Sequence, residues 1–105
     1  MQIQVNTDRH VQNDERLTAH VRAKVEDELR RFAERITRVE VHLSDVNSGA
    51  KRGDADIRCL MEARLNGLNP TAVTDKAATV ELAVAGAAEK LKRSIQSTLE
   101  RLQQR

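Results

Sequence analysis

Two hydrophobic periods take turns along this chain. In Arg35-Ile-Thr-Arg-Val-Glu-Val-His-Leu-Ser-Asp45, Val39, Val41 and Leu43 alternate with Arg38, Glu40, His42 and Ser44. A period of two places the apolar set on one face of a strand and the polar set on the other. Gln2–Thr7 repeats the pattern with Ile3 and Val5. So does Asp54–Asn66, where Ile57, Cys59, Met61 and Ala63 alternate with Asp56, Arg58, Leu60, Glu62 and Arg64. Between the first two strands the period lengthens. Leu17, Val21, Val25, Leu29 and Phe32 follow one another at spacings of four and three, a single helical stripe. Asn13 or Asp14 suits its N-cap, and Asp14 and Glu15 suit its positive N-terminus. The spacing predicts a helix running to about Phe32.

The turns follow from glycine, asparagine and proline. Asn47–Gly53 holds two glycines and joins the second and third strands as a hairpin. Asn66-Gly67 is a hairpin signal, and Leu68–Thr74 reads as a shorter fourth strand. Pro70 has no N–H to give to a ladder, which argues for an edge or an irregular position. From Ala77 or Ala78 the period is helical again, with Thr79 as N-cap. Val80, Val84, Ala87, Ala88, Leu91, Ile95, Thr98, Leu99 and Leu102 form the stripe expected to be buried. A helix from Val80 to Gln104 is about 37 Å long, at about 1.5 Å per residue. That exceeds the expected width of the sheet, so the last turns should project or fray. The order is β-α-β-β-β-α, an α+β fold. Its economical packing is a four-stranded sheet with both helices on one face. The other face would expose Gln2, Gln4, Arg38, Glu40, His42, Arg58, Glu62 and Arg64.

Composition sharpens this picture. A chain of 105 residues suits one domain, 1–105, around a modest core. Phe32 is the sole aromatic residue, so the core is aliphatic and base stacking on aromatic rings is nearly excluded as a binding mode. No run is long and apolar enough to span a membrane, and the alternating start reads as a strand, not a signal peptide. The lone Cys59 cannot form an internal disulfide, which fits a reducing cytoplasm.

Little here supports catalysis. His10, His20 and His42 fall on different elements and share no metal-ligand spacing with Cys59. Cys59 points to the core face, as a small buried hydrophobe does. Asp54 and Asp56 share a strand face, and a solvated strand end explains them. Gly49 and Gly53 flank Ala-Lys-Arg without a following helix, so they form no phosphate loop. The expectation is a protein without enzymatic activity or cofactor.

Charge is the remaining lead. The 18 basic and 16 acidic residues give a net charge of +2. Asp14–Phe32 carries five charges of each sign. On the last helix, Lys90, Arg93 and Arg101 fall broadly on one flank beside the stripe. Arg22, Lys24 and Arg31 would adjoin them if the helices lie side by side. Such a surface can track a phosphate backbone. Interleaved acids equally make it an ordinary solvated face.

The element order, the opening Met-Gln-Ile-Gln-Val, the Arg-Ile-Thr-Arg-Val-Glu-Val-His-Leu strand and the final-helix segment Ala-Gly-Ala-Ala-Glu-Lys-Leu-Lys-Arg-Ser-Ile together resemble the ribosome hibernation promoting factors, also called ribosome-associated inhibitors. The likeness covers roughly Met1 to Leu102 and is that of a short, divergent member. It implies a cytoplasmic factor of stress or stationary phase. Such a factor binds the small ribosomal subunit and its RNA in the channel of messenger and transfer RNA, and inhibits translation. It also implies that Lys24, Lys90, Arg93 and Arg101 sit where the family places RNA-binding bases, with Arg22 a neighbouring candidate. The chain has Ser97 and Glu100 where the family's lysine run would continue. It has Thr79-Val-Glu-Leu-Ala-Val-Ala85 where the family often carries Asp-x-Tyr-x-Ala-Ile-Asp. These differences suit an alternative: an interaction module, in one version homodimeric through an edge strand near Pro70, that keeps the fold and has lost the ribosome.

Overall fold

The computed structural model describes residues 1–46 and 57–104. The expected 47–53 loop, the Asp54/Asp56 pair and the first residues of the expected third strand lie outside that description. The elements are β1 (Gln2–Thr7), α1 (Glu15–Glu28), a 3-10 turn (Arg30–Phe32), β2 (Ile36–Asp45), β3 (Ile57–Leu65), β4 (Thr71–Ala77) and α2 (Val80–Gln103). They form one sheet in the order β1-β2-β3-β4. β1 runs parallel to β2, and the other pairs are antiparallel. The β1-α1-β2 unit is thus a crossover, which a parallel pair requires. Both helices cover the same face, and this is the expected α+β architecture.

The alternation seen in the sequence becomes the core. Ile3, Val39, Val41, Leu43, Cys59, Met61, Ala63 and Leu65 are buried beneath Val21, Val25 and Leu29 of the first helical segment. Ala83, Val84, Ala87, Ala88, Leu91, Ile95 and Leu99 close the core from α2. No polar or charged residue among those described is buried.

Both helices start where their caps dictate. The Asp14 carboxylate accepts the Leu17 amide at 2.8 Å, and the Thr79 hydroxyl accepts the Leu82 amide at 3.2 Å. α1 ends earlier than the stripe suggests. After Glu28 the chain tightens into the 3-10 turn, with the Phe32 amide on the Leu29 carbonyl at 2.9 Å. That turn keeps Phe32 in the core while redirecting the chain into β2. The fourth strand begins after Pro70, not at Leu68, and runs on to Ala77. Proline lacks the donor a ladder needs. The Asn66-Gly67 pair makes a turn without joining two strands directly. The Leu68 amide bonds the Leu65 carbonyl at 3.2 Å, and Gly67 takes a φ of +76°, which a side chain disfavours.

Leu102 departs most from the expected α2 stripe, of which Val80 and Thr98 are also only partly covered. It is 37 % exposed, although it continues the α2 stripe, because the helix has there outrun the sheet it packs on. Conversely, Val11 is buried although its neighbours Arg9, His10, Gln12 and Asn13 are all polar. The Asp8 carboxylate holds it there, accepting the His10 amide at 2.9 Å, the Val11 amide at 3.1 Å and the Asp45 amide at 3.2 Å.

Candidate nucleic-acid interface

The α2 cations divide between the two flanks of that helix. The Lys90 ammonium donates to the Thr74 carbonyl at 3.0 Å and pairs with Asp75 at 2.8 Å, which fixes it at the β4 edge. Two residues on, Lys92 reaches Glu28 of α1 at 3.3 Å. At about 100° per residue, Arg93 and Arg101 lie on the Lys90 side. Arg93 pairs with Glu89 one turn back, and Arg101 donates to the Thr98 hydroxyl at 3.4 Å.

The α1 cations divide as well. Lys24 meets the same Glu28 at 3.9 Å, on the flank that faces α2. Arg22 projects to the opposite flank, where it shares a concavity with β1 and Arg38. Among the described residues it has no ion pair. Arg31 lies over the Phe32 ring, 5.1 Å from its centroid. With Arg35 it borders the last turns of α2 at Gln96 and Glu100.

The five residues anticipated from sequence therefore do not make one patch. Lys24 joins Lys92 in the groove between the helices, with Arg31 and Arg35 further along it. Lys90, Arg93 and Arg101 line the outer flank of α2, and Arg22 stands apart. Lys92 and Arg35 were not anticipated. The i,i+3 and i,i+4 rule that groups Lys90 with Arg93 leaves Lys92 on a different flank, and Lys92 becomes relevant only when α1 is known to lie there.

The uncovered sheet face is banded by charge. Strand pairing sets Arg38 opposite Arg64, Glu40 opposite Glu62, and Arg58 opposite Lys76. Relief runs along the strands instead. Glu40 pairs with Arg38 at 3.4 Å and with His42 at 3.5 Å, and Glu62 pairs with Arg64 at 3.8 Å.

The chemistry of nucleophiles and metals finds no footing among the described residues. Burial, with help from the Asp75 charge, pushes the Cys59 thiol from its ordinary 9.0 up to about 12, so the thiolate is absent near neutrality. No three His, Cys, Asp or Glu side chains gather as a metal site among the described residues. His10 and His20 border one shallow concavity by the starts of both helices. Nor is any described helix long and apolar enough to cross a membrane.

Comparison with known proteins places this arrangement. The sequence model of a family described as sigma 54 modulation protein / S30EA ribosomal protein matches residues 4–103. The N-terminal domain of Protein Y from Thermus thermophilus superposes with a TM-score of 0.73 at 17 % identity, covering 93 % of this chain and 99 % of that one. A ribosomal subunit interface protein from Coxiella burnetii gives 0.70 at 14 % identity, covering 95 % and 99 %. At such identities the likeness is one of fold. No curated protein matches the sequence.

Proposed function

This chain belongs to the sigma 54 modulation protein / S30EA ribosomal protein family, and on that premise we propose that it is a ribosome-associated factor that binds the small subunit and inhibits translation by occupying the channel of messenger and transfer RNA. The observation that carries this reading is the extent of the family match, which takes in both helices and the cations they hold. The proposed RNA contacts are Lys24 and Lys92 in the interhelical groove and Lys90, Arg93 and Arg101 on the outer flank of α2. Arg22, which faces the other way, is left out of this surface. The mechanism is steric. Guanidinium and ammonium groups neutralise RNA phosphates, and the folded body then excludes other ligands from the channel. Nothing in this reading requires a covalent step or a cofactor.

Most of these cations already have a carboxylate partner. RNA phosphates must therefore compete with Glu28, Asp75 and Glu89, and release of the RNA's own counterions makes binding sensitive to salt. The test is sedimentation of the protein with separated ribosomal subunits through sucrose at increasing salt. Five phosphate contacts imply affinity falling about 130- to 500-fold between 50 and 200 mM salt. A Lys90→Gln, Arg93→Glu, Arg101→Glu variant should lose most of the binding and flatten that slope. Glutamine is chosen for Lys90 because a second carboxylate beside Asp75 would disturb the α2–β4 contact. Failure to co-sediment at low salt, or a variant that binds like the parent, refutes the proposal.

A further inference from the structure

The two edges of the sheet are not protected alike. β4 carries the devices that keep an edge from pairing with another chain. Pro70 stands directly before it, and Asp75 is turned inward beneath α2. The Lys90 ammonium occupies the Thr74 carbonyl. β1 has none of them. Its sequence, Gln-Ile-Gln-Val-Asn-Thr, contains no charge, no proline and no glycine. Among the described residues it pairs only with β2, so its other side presents a row of backbone groups unpaired by any described strand.

The direction of that row follows from one hydrogen bond. The Asp8 amide donates to the Leu43 carbonyl of β2 at 3.0 Å. Alternation along an extended strand then turns the amides of Gln2, Gln4 and Asn6 toward β2. Those of Ile3, Val5 and Thr7 turn to the open edge. A concavity follows this edge, with Thr18 and Arg22 of α1 above it and Arg38 below. No carboxylate is among its lining residues. Val5 is only partly covered, although it faces the core side.

We propose that the β1 edge is a docking site for an extended, acidic peptide segment of a partner protein, which adds to the sheet as a further strand. Main-chain bonds to Ile3, Val5 and Thr7 would hold the segment, and an acidic side chain would meet Arg22, which has no ion pair among the described residues. This is the strand-addition mode of recognition, with affinity from the backbone and selection from alternate side chains. Charge also argues against a second copy of this chain as the occupant. Two β1 edges brought together would juxtapose the Arg22 groups of both copies, with no carboxylate in the lining of the concavity between them. The site lies outside the groove and the α2 flank assigned to RNA, and does not rest on that assignment.

The experiment uses an isotopically labelled sample of the whole chain and a short synthetic peptide alternating valine with glutamate, capped at both ends. Saturable binding below about 1 mM is expected, with shifts and slowed exchange at the Ile3, Val5 and Thr7 amides. The Arg22→Glu variant should bind this peptide about tenfold more weakly, since attraction becomes repulsion at a half-solvated contact. It should bind the peptide with lysine in place of glutamate better than the parent does. Arg22 is exposed, so the variant should keep the parent's amide spectrum away from β1. N-methylation of the peptide's sheet-facing amides should abolish binding. The proposal is overturned if the peptide leaves these amides unmoved. It is equally overturned if Arg22→Glu binds as the parent does, if the free protein dimerises through β1, or if an RNA oligonucleotide shifts the same amides and the peptide does not.

Discussion

Gly86 offers the sharpest test of how α2 sits on the sheet. It is an interior helix residue, where alanine normally stabilises by about 1 kcal/mol. Here a Cβ would lie 1.8 Å from the Asp75 carboxylate oxygen Oδ2 and 2.7 Å from Cγ, yet 3.4 Å from the Asp75 Cβ. The backbones therefore need not part, but the carboxylate must swing away. Swinging forfeits the 2.8 Å pair with Lys90, worth roughly 0.5 kcal/mol for a half-exposed ammonium. A carboxylate forced off its rotamer adds about 1 kcal/mol. Gly86→Ala should then destabilise the parent by about 0.5 kcal/mol. In an Asp75→Ala background the obstacle is gone, and the same change should stabilise by about 1 kcal/mol. The four proteins of this cycle can be unfolded in urea and followed by circular dichroism, since the chain has neither Trp nor Tyr to report by fluorescence. A Gly86→Ala effect equal in both backgrounds, within about 0.3–0.5 kcal/mol, would refute the steric argument.

Other positions give equally direct outcomes. Cys59 has a raised folded-state pKa of about 12 against 9.0 when free. The unfolded chain releases this proton first as pH rises, so its contribution is intact below pH 9 and is lost across the window up to about 12. Between pH 9 and 10.5 the parent should lose roughly 1.6 kcal/mol in all more than Cys59→Ala does, measured by urea midpoints; parallel curves would exclude the linkage. Asp8→Ala removes the acceptor for three backbone amides and should lower stability by about 2 kcal/mol, with faster hydrogen exchange at Val11 and Asp45. Leu91→Ala, at a fully buried site, should destabilise by about 3 kcal/mol. Leu102→Ala, on the overhanging turn, should stay within about 0.5 kcal/mol; similar losses at both would mean that the helix end is packed after all.

How much of this was legible in the sequence depended on whether a feature is local. The alternation at Val39, Val41 and Leu43 and the stripe at Val21, Val25 and Leu29 are periods of the chain itself, and both appear in the core as read. The caps Asp14 and Thr79 were equally plain. Leu102 obeys the same helical period but is exposed, because burial depends on where the sheet ends. Asp75 was hidden for a related reason. An expected strand ending at Thr74 left it outside, whereas the strand continues and turns it under α2. The cations show the limit most clearly. Grouping Lys90, Arg93 and Arg101 on one flank needed only helix geometry. Learning that Lys92 and not Lys90 meets α1, and that Arg22 faces away, required the tertiary packing.

The charge bands on the open sheet face bear on how the chain finds its register. Sliding β3 by two residues would set Arg64 against Glu40 and move Glu62 away from Glu40, relieving both like-charged pairs while keeping every apolar residue on the inner face. Each such cross-strand pair is worth roughly 0.2–1 kcal/mol, so the outer face alone favours the slipped hairpin. The native alignment must prevail from within. A two-residue slip carries Met61 and Ala63 roughly 7 Å along the strand and brings Cys59 opposite Asp45, spoiling the fit beneath both helices. Until those helices dock, a hairpin of β2 and β3 has a competing alignment close in energy. The sheet is thus locally frustrated: its strands reach their final pairing only in company with the helical layer, which makes assembly of the two layers a single cooperative event.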